Sequence, residues 1–223
     1  MFKTPIIVLN VKTYIEATGK HALKLASLMD TVSEETGVAM AIAVQATDIY
    51  PCSQQGSLPV FAEHIDAISP GSHTGWTLPQ AVKQAGAQGT LINHSEHRLN
   101  LADIESTIKI AQTLGLDHIV CTNNIATSQA AAGLHPQSIA VEPPELIGGD
   151  ISVTTADPDV VSGSVKAVKS IHADIAVLCG AGVKNGKDVA TSIELGADGV
   201  LLASGVVKAK DKEQVLRDLA SGL

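Results

Sequence analysis

Aromatic side chains are almost missing from this chain: two Phe, two Tyr and one Trp in 223 residues. A core must therefore be packed from Ala, Val, Ile and Leu, and the 45% hydrophobic content is enough to bury one large domain. Cysteine is scarce as well. Cys52, Cys121 and Cys179 are odd in number, widely spaced and without a CxxC pair, which fits reduced thiols in a cytosolic protein better than a disulfide framework. No apolar run approaches the length of a membrane span. Met1-Phe2-Lys3-Thr4-Pro5 leads straight into a strand pattern with no signal-peptide character. Charged residues make up only 17%, and acids exceed bases to give a net charge of −8. That balance argues against nucleic acid or an anionic membrane as partner. It leaves an anionic small molecule open, because such a ligand responds to the local field of a site.

What is present alternates. Short β-rich apolar runs occur at Pro5–Val11, Val38–Val44, Val60–His64, Thr90–Asn93, His118–Cys121, Ser138–Val141, Ile175–Leu178 and Gly199–Leu202. Helical periodicity lies between them, clearest at Gly19–Thr36, Leu101–Leu114, Asp157–Ile171 and Lys187–Leu195. Asp157-Pro158 supplies a capping side chain and a proline for the first turn, and Gly115 and Gly196 stand where helices should stop. Ala46–Leu58 reads as poor in helix, and Asn124–Gly133 allows barely two turns. From the first strand's end to the last is about 192 residues in seven steps, or about 27 per unit, the size of a βα unit with its loops. Strands apolar on both faces, uninterrupted by any linker, predict an α/β fold. The expected architecture is a single (β/α)8 domain over residues 1–223, with a closed parallel eight-stranded sheet.

In such a barrel, chemistry gathers at the C-terminal ends of the strands. Asn10 and Lys12 sit two apart at the end of the first strand and so share a face. Taken alone, Lys12 is a surface lysine, but a polar amide in an apolar strand needs a partner. The fourth strand runs directly into Asn93-His94-Ser95-Glu96-His97-Arg98. His94 alone would read as a structural histidine. Ser95 can cap a short following helix, whose backbone donors would favour a neutral imidazole. His97 reads as ordinary surface. The seventh and eighth strands end in Cys179-Gly180-Ala181-Gly182 and Leu202-Ala203-Ser204-Gly205, small residues that let backbone N–H groups approach a phosphate.

Val141–Gly149, Val-Glu-Pro-Pro-Glu-Leu-Ile-Gly-Gly, follows the sixth strand. Glu142 ends that strand, and two prolines make a stiff exit. Leu146 and Ile147 form a partly apolar tip, and Gly148-Gly149 permit the return. The stretch reads either as a loop able to swing as a unit over Glu142 or as a proline-rich turn bearing a solvated carboxylate.

With Asn-x-Lys at Asn10 and Lys12, His-Ser-Glu at His94–Glu96, Glu-Pro at Glu142 and the two small-residue turns in this order, the chain resembles the triosephosphate isomerase family, in its short archaeal form, over essentially its whole length. The resemblance implies a TIM barrel that interconverts dihydroxyacetone phosphate and glyceraldehyde 3-phosphate in glycolysis and gluconeogenesis, with no cofactor and no metal. It implies Glu142 as base, neutral His94 as electrophile and Lys12 as electrostatic stabiliser, an arrangement known for this family rather than read from these residues. By the same resemblance Asn10, Ile147, Gly148, Gly182, Ala203 and Ser204 bind substrate. Glu96 and Ser95 support the site, and Cys121 packs behind the base.

The loop lacks the tryptophan of longer family members, and Cys-Gly-Ala-Gly replaces their tyrosine-led turn. The long connection His64–Gly75 carries Ser72-His73-Thr74-Gly75, which resembles the family's interdigitating loop, with Thr74 reaching a neighbouring subunit's site. The thin Asn124–Gly133 connection is expected to leave apolar strand surface for association to cover. A homo-oligomer follows, a tetramer favoured over a dimer. Another phosphate-binding barrel enzyme, an aldolase or a sugar-phosphate isomerase, would share the glycine turns but needs Lys12 as a Schiff-base amine or second base. A binding barrel without activity would have no reason to keep Lys12, His94 and Glu142 together.

Overall fold

The computed structural model describes residues 2–147 and 152–223. Eight strands close into one parallel barrel in sequence order: β1 (Ile6–Asn10), β2 (Ala39–Val44), β3 (Val60–Ala62), β4 (Gly89–Ile92), β5 (Asp117–Thr122), β6 (Ser138–Val141), β7 (Ala176–Gly180) and β8 (Gly199–Leu202). Helices surround it: α1 (Lys20–Thr36), α2 (Ala46–Ser53), α3 (Pro79–Gln84), α4 (Leu101–Leu114), α5 (Ile125–Ala132), α6 (Val153–Ala156), α7 (Pro158–Ile171), α8 (Gly186–Glu194), α9 (Ser204–Val207) and α10 (Lys212–Ala220). Each of the eight apolar runs overlaps a strand, as expected, although β4, β5 and β7 extend one or two residues beyond the expected bounds.

Alternation along the strands sorts the core into two shells. Ile6, Val8, Ala41, Ala43, Phe61, Leu91, Ile119, Cys121, Ala140, Leu178 and Leu201 fill the barrel interior. Their neighbours, such as Ile7, Leu9, Ile42, Val60, Val200 and Leu202, pack outward against helices. With so few aromatics, one ring does much of the filling: Phe61 is fully buried. Gly89 on the adjacent strand makes room for it, since a Cβ there would stand 2.6 Å from the ring.

Helix ends follow the capping chemistry read from the sequence. Asp157 accepts the Val160 N–H at 3.2 Å, Pro158 opens α7, and Gly115 closes α4 at φ 60°. Two expectations need correction. The Ala46–Leu58 connection does hold a helix, α2, despite Pro51 within it. Burial of Ile49 and Cys52 holds the helix and offsets the one backbone donor that Pro51 removes, the N–H that would otherwise bond the Thr47 carbonyl. The second concerns α5, which is as short as predicted yet leaves no bare strand surface. Ile119–Thr122 and Ser138–Val141 are buried, and Ile125 packs close over Gly163 of α7.

Candidate active site

The polar residues singled out at the strand ends meet at one rim. Asn10 continues the inward parity of Ile6 and Val8, and its Oδ1 accepts the Lys12 backbone N–H at 3.0 Å. Lys12 itself has φ 51°, a left-handed conformation costly for a residue that carries a Cβ and often retained where a side chain must be aimed. Its ammonium donates to Glu96 Oε1 at 2.8 Å.

Glu142 lies one step past β6 with the parity of interior Ala140, so its side chain points into the mouth of the barrel rather than to solvent. It is buried. Cys121 lies beneath and donates a thiol hydrogen bond to it. On the other side is Gly180, where any Cβ would stand 2.4 Å from Glu142 Cγ and 2.8 Å from Oε1. The carboxylate position therefore exists only because residue 180 has no side chain.

His94 reaches the same mouth by a different route. Asn93 has φ 61°, which breaks strand parity, and its side chain bonds the Cys121 carbonyl and the Leu99 N–H to hold that bend. The helix expected after Ser95 is not there. Residues 94–97 instead form a turn closed by the His97 N–H on the His94 carbonyl at 2.9 Å, with Ser95 half-buried inside it. The donor beside the imidazole is the Glu96 N–H, 3.2 Å from Nδ1. Nδ1 is thereby an acceptor, so the ring's proton sits on Nε2. Nε2 lies 3.6 Å from Glu142 Oε2, and neither atom has a hydrogen-bond partner.

The electrostatics separate these two groups. Burial, reinforced by the Lys12 charge, pushes His94 down to about 4, so the ring is neutral at physiological pH. Burial pushes Glu142 up to about 7, against the opposing pull of Lys12 and the Cys121 hydrogen bond. A neutral donor thus faces a carboxylate poised to take a proton near neutrality.

Asn10, Lys12, Glu142, Ile147, Gly182, Ala203 and Ser204 line one cavity together. Ala181 and Gly182 are both left-handed, and α9 starts at Ser204, so first-turn amides there are not consumed by the helix. His94 and Glu96 line an adjoining cavity of about 450 Å³ that shares Asn10 and Lys12. Gly148 lies outside the described residues. Thr74 is not at this rim within the chain; it lies in an exposed loop tip. His97, expected to be plain surface, is exposed but stacks on His64 at 4.2 Å and lines the second cavity.

The family model described as triosephosphate isomerase matches residues 5–219. Curated triosephosphate isomerases of Methanobrevibacter smithii and Methanocaldococcus jannaschii are each 54% identical, the first covering 99% of both chains, the second 96% of this chain and 98% of its own. That of Methanosarcina mazei is 53% identical over 97% of each. The chain belongs to the triosephosphate isomerase family. It is an isomerase, and the reaction to be explained is the interconversion of dihydroxyacetone phosphate and D-glyceraldehyde 3-phosphate.

Glu63 is the residue that reading the sequence missed. It follows β3 directly, the same signal that drew attention to Asn10 and His94. Its carboxyl is pushed up to about 8 by burial and by the charge of Glu96, and Oε1 has no hydrogen-bond partner. A carboxyl whose folded value exceeds its unfolded one binds more protons when folded. Stability is therefore greatest below about 4.5 and declines as pH rises towards about 8.

Glu63→Gln should flatten the fall in melting temperature between those values, leaving a smaller slope of the same sign from Glu142; thermal melts across pH check it. Gly180→Ala should displace Glu142 and lower kcat by on the order of 10²-fold with little change in KM, the cost of misplacing a reacting group by about an ångström. Steady-state kinetics in both directions measure it.

Proposed function

We propose that Glu142 removes and returns the carbon-bound proton, moving it between the two substrate carbons while His94 and Lys12 stabilise the enediolate oxygen. The observation that carries this reading is the facing pair: His94 Nε2–H and Glu142 Oε2, 3.6 Å apart, buried, and each without a partner. A base at carbon and a donor at oxygen must act together, because either alone leaves charge uncompensated in the transition state. A positioned base is worth about 10²–10⁴ in rate and a preorganised donor about 10²–10³.

Lys12 acts through its charge. Its pairing with exposed Glu96 holds the ammonium at the rim without neutralising the buried base. Asn10, Ile147, Gly148, Gly182, Ala203 and Ser204 bind the substrate, chiefly its phosphate, through backbone groups. Ser95 and Glu96 support the imidazole and the ammonium, and Cys121 steadies the base from behind. The phosphate takes no part in bond changes, but its binding closes the loop after Glu142 over the intermediate and keeps water out. No metal or cofactor enters these steps.

The active form is a cytoplasmic homo-oligomer, a tetramer in preference to a dimer, built from one barrel domain per chain. The support is the loop after β3. His64 and Thr77 pinch its neck around Asp66, while residues 69–76 are exposed, Trp76 by 58%. Thr74 of one subunit enters the cavity beside Asn10 and Glu96 of another.

Glu142→Gln should lose about 10²–10⁴ in kcat. It should still bind a phosphate-bearing substrate analogue, as measured by coupled assay and calorimetry. Near-wild-type turnover removes Glu142 as the base. In the wild type, kcat/KM should rise with pH through about 7 as the base loses its proton, while His94 stays neutral throughout. Light scattering at micromolar concentration should give an oligomer; a fully active monomer rejects the assembly.

A further inference from the structure

The face of the barrel opposite the active site carries a group that the isomerase chemistry does not use. His135 lies in the turn between α5 and β6, and His172 and Asp174 lie in the turn between α7 and β7. Both turns enter their strands from the N-terminal end, away from the rim that holds Glu142. His135 Nε2 is 3.1 Å from Asp174 Oδ2. The His135 and His172 rings stack with centroids 4.0 Å apart. One ligand atom from each of the three residues falls within 4.8 Å of the others.

We propose that His135, His172 and Asp174 form a binding site for a divalent ion of the zinc class. Two imidazoles and a carboxylate are a donor set suited to zinc, nickel or copper rather than to magnesium or calcium, which prefer all-oxygen shells. Ligand atoms about 2.0–2.1 Å from a tetrahedral ion stand roughly 3.3 Å from one another, so the His135–Asp174 pair is already at bonding separation. The stacked rings must splay, because an ion lies in the plane of each ring it binds. His135 and Asp174 are exposed and His172 is partly so, which leaves the rings room to turn.

A cavity of about 400 Å³ borders His135 and Asp174, with Asp117 and Gln137 in its wall, and gives room for water in the remaining coordination position. The neighbouring backbone is held in place. His135 has φ 53°, and its carbonyl accepts from Gln112 Nε2 at 3.4 Å; His172 closes α7 with its N–H on the Val168 carbonyl. An ion here ties the end of α5, only eight residues long, to the end of α7. Because the site requires the folded juxtaposition of two turns, occupancy stabilises the fold.

The test titrates zinc chloride into the chelator-stripped full-length protein by calorimetry, with thermal melts alongside. One ion per chain in the micromolar range is expected, with a rise in Tm. Both should be lost in the His135→Ala/His172→Ala double variant, and Asp174→Asn should bind more weakly. Zinc-free isomerase turnover of these variants should match the wild type, which also reports that they fold. His64 and His97 stack at the catalytic rim and offer zinc a second place, so equal binding by the wild type and the double variant overturns the proposal. Absence of binding to the wild type overturns it too. Should the double variant fail to fold, undiminished zinc binding by Asp174→Asn has the same force.

Discussion

A carboxylate removed from water without a cation in contact holds its proton more tightly, and the mouth of this barrel is built around one such group. Glu142 could be quenched in either direction. A directly paired lysine would drop its proton affinity and make it a poor base, whereas complete isolation would keep it protonated. Lys12 is instead held on Glu96, close enough to act on both Glu142 and His94 through its field and engaged elsewhere by contact. The same charge that lowers Glu142 lowers His94 further, so one ammonium helps fix both protonation states. Two backbone features protect that balance. Gly180 leaves room for the carboxylate, and the Glu96 N–H fixes which imidazole nitrogen carries hydrogen.

Most of the scaffold was legible because barrel strands are buried on both faces and so appear as continuous apolar runs. Val60–Ala62, only three residues long, still stood out. Helices were harder to read. α2 was obscured by Pro51, and α3, at six residues, is too short for its periodicity to register. α10 did carry a readable signature in the Asp211 cap and in Leu216 and Leu219, but its charged face masked it. The turn after His94 was read as a helix because Ser95 is a good cap; no apolar face follows to hold such a helix in place.

The site divides along similar lines. Asn10 and Glu142 follow strand parity, which sequence spacing preserves, and both arrive where that parity sends them; Lys12 lies two residues past β1, and its left-handed backbone aims the ammonium. His94 does not follow parity: Ile92 faces outward, and only the left-handed bend at Asn93 brings residue 94 into the mouth. No spacing rule predicts that bend, so His94 was found through its motif rather than its geometry. Glu63 is the opposite case, correct in parity and position but part of none of the Asn-x-Lys, His-Ser-Glu or Glu-Pro motifs.

Buried polar atoms that lack partners cost about 1–3 kcal/mol each, and folded proteins hold few of them. Among the described residues, Glu63 Oε1, His94 Nε2 and Glu142 Oε2 all belong to this class and all line the mouth. A cost concentrated in one place can be borne only if the surroundings do not relax to remove it. Here the surroundings are a closed sheet with no edge to unzip and an interior filled by Phe61, Leu91 and Ile119 beneath the mouth. Rigidity below and unmet hydrogen-bonding capacity above are two sides of one arrangement. The closed barrel keeps Glu142 Oε2 and His94 Nε2 from finding partners within the chain, which is the free hydrogen-bonding capacity that the proposed chemistry needs.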